Sequence, residues 1–135
     1  MFNRIEYNAL NSRQQENYNF QKVAALLADY GYNCLRLSDD WQGADFIACH
    51  MDGETFLKVQ LKGRLTIDKK YIGKGIHIAF LLQGVCYVYP HDVFLEDLIQ
   101  RGALGEESHL WHEQGKRSWP LPPAWATKFL SAYSI

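Results

Sequence analysis

Trp41 to Arg64 reads WQGADFIACHMDGETFLKVQLKGR, and the rest of the chain is arranged around it. Gly43 to Met51 is apolar and extended, Asp52-Gly53 is a strong two-residue turn signal, and Glu54 to Arg64 returns as a second strand, so the stretch predicts a β-hairpin. With Asp52 and Gly53 as the whole loop, Met51 pairs with Glu54, and counting back along both strands sets Asp45 opposite Gln60. Facing residues of an antiparallel pair point the same way, with Cβ atoms roughly 4.5–5.5 Å apart. Gly43, Asp45 and Ile47 therefore share a face with Lys58, Gln60 and Lys62, while Ala44, Phe46 and Ala48 share the other with Leu57, Val59 and Leu61. The second face is wholly apolar. The first gathers a carboxylate, an amide and two ammonium groups.

A carboxylate and an amide oxygen side by side are hard donors of the kind Mg²⁺ accepts, since that ion takes few protein ligands and keeps several waters. An ammonium two residues on, at Lys62, suits an attacking water or the charge that builds on a phosphate. The same pattern has a plainer reading, with Lys58, Gln60 and Lys62 as a solvated edge face and Asp45 as a cross-strand ion-pair partner.

Asp45, fourteen intervening residues and then Gln60-Leu61-Lys62, preceded by a helix with Glu16 near its start, resembles the PD-(D/E)XK nuclease superfamily. Within it, the Mrr-like branch, where Gln replaces the middle acid, is the nearest likeness, over roughly residues 12 to 90. The resemblance implies a restriction-endonuclease-like core and a metal-dependent endonuclease that hydrolyses phosphodiester bonds in nucleic acid, DNA in most of the family. It implies Mg²⁺ as cofactor, with Mn²⁺ able to substitute. Carried over by position, Asp45, Gln60, the Leu61 carbonyl and Glu16 would hold metal, and Asp45, Gln60, Lys62 and Glu16 would make the catalytic set. Gly43-Ala44 stands where the superfamily often has Pro, and Gln60 carries no charge. Both departures keep open a nuclease-shaped module that binds nucleic acid or a protein partner without cutting.

At 135 residues with 47% apolar content, the chain predicts one domain with one core, about residues 12–100, and a Trp-rich C-terminal extension over 103–135. A formal charge of −1 excludes a general polycation, so nucleic-acid binding needs a local patch. One is present: Lys58, Lys62, Arg64, Lys69, Lys70 and Lys74 stand against the single acid Asp68. Beside a metal site, Lys58, Arg64, Lys69, Lys70 and Lys74 read as contacts to phosphates, and a homodimer able to cut both strands is compatible with that. The odd count of three cysteines, Cys34, Cys49 and Cys86, argues against a disulfide framework. The N-terminus lacks an apolar core segment and the apolar runs, such as Ile78 to Leu82, are far too short for a membrane span, which together predict a cytoplasmic protein.

Ser12 with Gln15 matches a capping box, predicting a helix to Tyr30 with Phe20, Val23, Leu27 and Tyr30 as its stripe and Glu16 one turn nearer its start. Asn33 to Ser38 is expected as a strand, and Ser38-Asp39-Asp40 as a turn. Trp41 is expected to pack or to lie over the site. Residues 65–75 read as a loop or short ribbon, His77–Leu82 and Val85–Tyr89 as further strands, Val93–Gln100 as a second helix and 122–134 as a third. His91 is expected to open the second helix, with substrate contact as the minor alternative. The sum is an α/β fold: an N-terminal helix on a mixed, largely antiparallel sheet of about four or five strands, with two C-terminal helices. Lys116 and Arg117, among the tail tryptophans, could bind single strands, although packing is the plainer role of Trp111, Trp119 and Trp125.

Overall fold

The computed structural model describes residues 1–105 and 108–135; of the expected C-terminal extension, 103–135, positions 106 and 107 lie outside it. Helix α1 (Ser12–Ala28) has its capping box one residue upstream of the expected one. The Asn11 side chain accepts the Gln14 N–H and the Gln14 side chain accepts the Asn11 N–H, each at 2.9 Å. The helix turns Val23 and Leu27 inward, both buried, and stops before Tyr30, which is exposed rather than part of the stripe.

Strand β1 (Tyr32–Trp41) runs straight through Ser38-Asp39-Asp40, where a turn was expected, and a register shift between Arg36 and Trp41 absorbs the irregularity. The turn into β2 (Ala44–His50) is instead Gln42-Gly43, whose φ values of 51° and 89° are both positive, as a type I′ hairpin turn demands. Between β2 and β3 (Phe56–Leu61) the pairs Phe46–Val59, Ile47–Lys58 and Ala48–Leu57 are those the sequence predicts. The loop is longer than two residues: the His50 N–H reaches the Thr55 carbonyl at 2.9 Å, leaving Met51 to Glu54 as the connection. Asp52 Oδ1 holds that loop by accepting the N–H groups of Glu54 and Thr55, both at 2.8 Å. One residue added on each side leaves the register unchanged.

The remaining elements are β4 (Leu65–Asp68), β5 (Ile76–Leu82), β6 (Val85–Pro90), α2 (His91–Gln100), β7 (Lys116–Trp119) and α3 (Ala124–Leu130). The main sheet is mixed, in the order β1-β2-β3-β5-β6, with β3 and β5 parallel and the other neighbours antiparallel. The link from β3 to β5 carries β4 instead of a helix, and β4 pairs with β7 as a separate antiparallel ribbon. The stretch expected as a loop or short ribbon is thus partly ribbon, and its partner strand comes from the C-terminal segment 103–135. Tyr89 pins β4 to the main sheet, its hydroxyl donating to the Thr66 carbonyl at 2.7 Å and accepting the Thr66 N–H at 3.0 Å. Fully buried His91 does likewise, accepting the Asp68 N–H on Nε2 at 3.0 Å and donating from Nδ1 to Asp92 at 2.8 Å. Both ring nitrogens are engaged, so His91 is a structural pin and not a substrate contact.

Apolar residues cover both faces of the main sheet. On one, α1 packs Val23 and Leu27 against Phe46, Ala48, Val59 and Ala79. On the other, α2, α3 and the tail bring Phe94, Leu98, Trp111, Trp119 and Leu130 against Ile76, Ile78, Phe80 and Tyr89. Burying a side chain such as Phe46 completely contributes roughly 1.5–3 kcal/mol. Residues 108–135 are therefore part of this core and not an appendage, because Trp111 and Trp119 supply the cover that the second sheet face needs. At the Asp45–Lys62 end of the hairpin, both residues remain only partly buried and border clefts. Helix α3 is shorter than expected, giving way at Ser131–Tyr133 to a 3₁₀ turn, and the Ile135 N–H bonds to the Cys86 carbonyl at 2.9 Å. Among the described residues no helix is long and apolar enough to cross a membrane.

Candidate active site

Asp45, near the start of β2, and Gln60, near the end of β3, lie in register one step beyond the Phe46–Val59 pair. Asp45 is half-buried, and its Oδ2 accepts the Leu61 N–H at 2.8 Å. A strand residue's N–H and C=O leave on the same side, so the Leu61 carbonyl is turned toward the edge where Asp45 sits. The Gln60 Oε1 atom is buried without a hydrogen-bond partner. A buried amide oxygen in that position carries a desolvation penalty of roughly 1–3 kcal/mol unless a ligand meets it.

Glu16, Asp39, Asp40 and Asp45 border one cleft of about 780 Å³, together with Arg13 and Arg36. Arg36 hydrogen-bonds Asn17 and so ties β1 to α1 beside it. Glu16 is exposed, not on the core-facing stripe, yet its position on the first turns of α1 aims it at this cleft. Asp40 does the turn work expected of it, accepting the Gly43 N–H at 2.8 Å, and also lies close enough to act on Asp45. Burial, and then repulsion from Asp40 and Glu16, raise the pKa of Asp45 above the usual carboxylate range against the pull of the Leu61 N–H and Lys62.

Lys62 follows directly on β3, its N–H bonded to the Ala79 carbonyl at 2.9 Å and its ammonium 5.5 Å from the centre of the Tyr71 ring. Burial, then the neighbouring cations Lys70 and Lys116, lower its pKa, while Asp68 and Asp45 oppose them. Tyr71 roofs the site, with a ring carbon 3.0 Å from where a Cβ on Gly43 would stand and its buried hydroxyl unpartnered. Burial and the charges of Asp68, Asp40 and Asp45 push that hydroxyl's pKa far up, so it remains a donor. Nothing in the sequence distinguished Tyr71, since only the turn Lys69–Tyr71 carries it back over the sheet.

Beyond Lys62 a second cleft, about 360 Å³, is lined by Lys62, Arg64, Lys70, Lys116 and Arg117, with Asp68 as its acid. The β4–β7 ladder builds it by setting Ile67 opposite Arg117 and Asp68 opposite Lys116. Of the predicted phosphate contacts, Arg64 and Lys70 are here. Lys69 lies 5.1 Å over the Trp111 ring, Lys58 is half-buried against Gly75, and Lys74 is exposed on the following loop. Lys116 and Arg117 complete the cleft, and the sequence signal for them was the basic pair just after Gly115. Trp41, expected as packing or lid, stands 55% exposed at the tip of the β1–β2 hairpin.

Among the described residues, no three His, Cys, Asp or Glu side chains gather closely enough to hold a metal ion by themselves. A donor set here has to include neutral oxygens, and the unpartnered Oε1 of Gln60, on the residue that the register sets opposite Asp45, is of that kind.

No protein-family model matches the chain, and no curated protein matches it. Among solved structures, the chain is similar to a bacterial homing endonuclease, I-Ssp6803I, with 18% sequence identity and a TM-score of 0.46 over 63% of this chain and 69% of the other.

Proposed function

We propose that the chain is a metal-dependent endonuclease acting on phosphodiester bonds, with DNA as the substrate, in the manner of the PD-(D/E)XK superfamily it resembles in sequence. What supports this most is a single arrangement: the register sets Gln60, whose buried amide oxygen is unpartnered, opposite the half-buried Asp45, with Lys62 two residues further along. Asp45, Gln60 and the Leu61 carbonyl would hold Mg²⁺ or Mn²⁺, with Glu16 and Asp40 close by on the same cleft. Bound there, the ion supplies Lewis-acid polarisation of the phosphate and a readier water nucleophile. The Lys62 ammonium orients that water or offsets charge developing on the phosphate. Tyr71 shields Lys62 and Asp45 from bulk water, which strengthens their interactions. Arg64, Lys70, Lys116 and Arg117 grip the flanking phosphates.

Purified protein incubated with end-labelled DNA and Mg²⁺ or Mn²⁺ should cut it, and Lys62→Ala should lower the rate by about 100-fold or more, the scale of losing one preorganised electrostatic group. The melting temperature should not fall. Wild-type protein that leaves every substrate intact, or a Lys62→Ala protein that cuts as well as its parent, removes the enzyme reading.

The uncharged Gln60, and the absence among the described residues of three acids close enough to hold an ion, favour a second reading, a module of nuclease shape that binds without cutting. Calorimetric titration with Mg²⁺ separates the two. Uptake that Asp45→Asn abolishes belongs to the enzyme, whereas a binding module has no need of it.

A further inference from the structure

Lys62 and Gly63 border not only the basic cleft but a second recess of about 620 Å³ on the α1 side, walled by Tyr7, Tyr18, Asn19, Lys22 and Gln83. Its rings are fixed although they are exposed. Tyr7 and Tyr18 meet edge to face with centroids 5.3 Å apart, and they are 39% and 38% accessible to solvent. The Tyr7 hydroxyl accepts from Asn19 Nδ2 at 3.0 Å, and the Lys22 ammonium lies 5.4 Å from the Tyr18 ring centre. Gln83 comes from the tight β5–β6 turn, where its φ of 50° and that of Gly84 at 80° fix the backbone. The lining thus combines two cations, Lys22 and Lys62, with partly exposed aromatic surface and amide groups.

We infer that this recess receives an unstacked nucleobase of the strand whose phosphate lies at Lys62, so that the ligand is a nucleic acid carrying at least one unpaired nucleotide. The position of that phosphate rests on the function proposed above. The chemistry of the walls selects this occupant. An aromatic face stacks any base, amides meet its polar edge, and cations flank the backbone on either side. A base inside a duplex offers its edge only, so reaching the Tyr18 ring requires that it leave the stack. Because Lys62 and Gly63 line both clefts, the two lie side by side, and a strand that leaves the basic cleft over Lys62 meets the recess next.

The test is fluorescence anisotropy in EDTA, where no cleavage occurs, using labelled single-stranded, flapped and blunt-duplex DNA. Tyr18→Leu should weaken binding of single-stranded and flapped DNA roughly 5- to 100-fold, the effect of losing one stacked base. Its affinity for the duplex should change less than about twofold on the same scale, and Tyr18→Phe, which keeps the ring, should bind flapped DNA like the parent. An abasic site at the first unpaired nucleotide should reproduce the loss in the parent protein and add nothing in Tyr18→Leu. Equal losses for duplex and flap, no loss at all, or indifference to the abasic site would overturn the inference. Since binding is read without metal, a protein that cuts nothing but shows the Tyr18-dependent flap preference would retain the recess and lose the nuclease reading. A protein that loses cleavage in Lys62→Ala yet binds flaps equally well in Tyr18→Leu would do the reverse.

Discussion

Asp45 and Lys62 are each held where their ionised forms are disfavoured, one with its pKa raised and the other with its pKa lowered, and burial is the first cause of both. The stability consequence has a definite sign. Because the folded pKa of Asp45 lies above the unfolded one, its ionised form favours unfolding; that effect is absent below the unfolded pKa and complete once pH passes the folded one. Asp45→Asn, which can still accept the Leu61 N–H, should therefore raise the melting temperature at neutral pH by about 1–4 °C, while cleavage disappears. A scanning-calorimetry midpoint that falls instead would mean the carboxylate is stabilising where it sits. The rate profile should be narrowed from both sides, its acid limb set by ionisation of Asp45 and its alkaline limb by proton loss from Lys62. In Lys62→Arg the guanidinium stays charged, so whatever activity survives should lack the alkaline limb.

At the scale of elements, the β1–β2 hairpin and the turn carrying Tyr71 are interlocked through Gly43. Its φ of 89° disfavours any L side chain, and a Cβ there would stand 3.0 Å from the Tyr71 ring. Gly43→Ala should thus destabilise the fold by about 1–3 kcal/mol in urea denaturation and displace the roof over Lys62. A variant with unchanged stability would show that the turn can relax. The four-residue loop at Met51–Glu54 illustrates a different economy. Asp52 is exposed, yet hydrogen bonds from the Thr55 hydroxyl and from the N–H groups of Thr55 and Glu54 hold its pKa well below the usual range. Local bonding of this kind keeps the connection fixed, and with it the register that brings Asp45 to Gln60.

For the whole molecule, the net charge of −1 hides an unequal distribution, with acids collected on the cleft of Glu16 and Asp45 and cations on that of Arg64 and Arg117. Binding should therefore be steeply salt-dependent. With Lys62, Arg64, Lys70, Lys116 and Arg117 each meeting a phosphate, the logarithm of the duplex binding constant should fall against the logarithm of salt with a slope of about −4.5. The double change Lys116→Ala and Arg117→Ala should make that slope shallower by roughly 2. Both substitutions on one short ribbon leaving the slope untouched would move the nucleic acid to another face.

The sequence by itself determined the hairpin, its register and hence that Asp45 stands opposite Gln60, because an alternating apolar face fixes which residues can point together and a change of loop length by two leaves that alternation intact. It determined the existence of α1 as well, though not its cap, since Asn11 and Ser12 offer nearly equal first-turn chemistry. Only the tertiary structure decided that residues 65–68 become a strand, that Lys116 and Arg117 share a cleft with Lys62, and that the Tyr71 ring lies against the Lys62 ammonium. Those outcomes rest on β4 meeting β7 across some fifty residues of chain and on Tyr89 and His91 holding β4 from behind. Short-range pattern does not encode such contacts, because each segment alone buries too little to choose its own shape, and the choice is made when both faces of the sheet are covered at once.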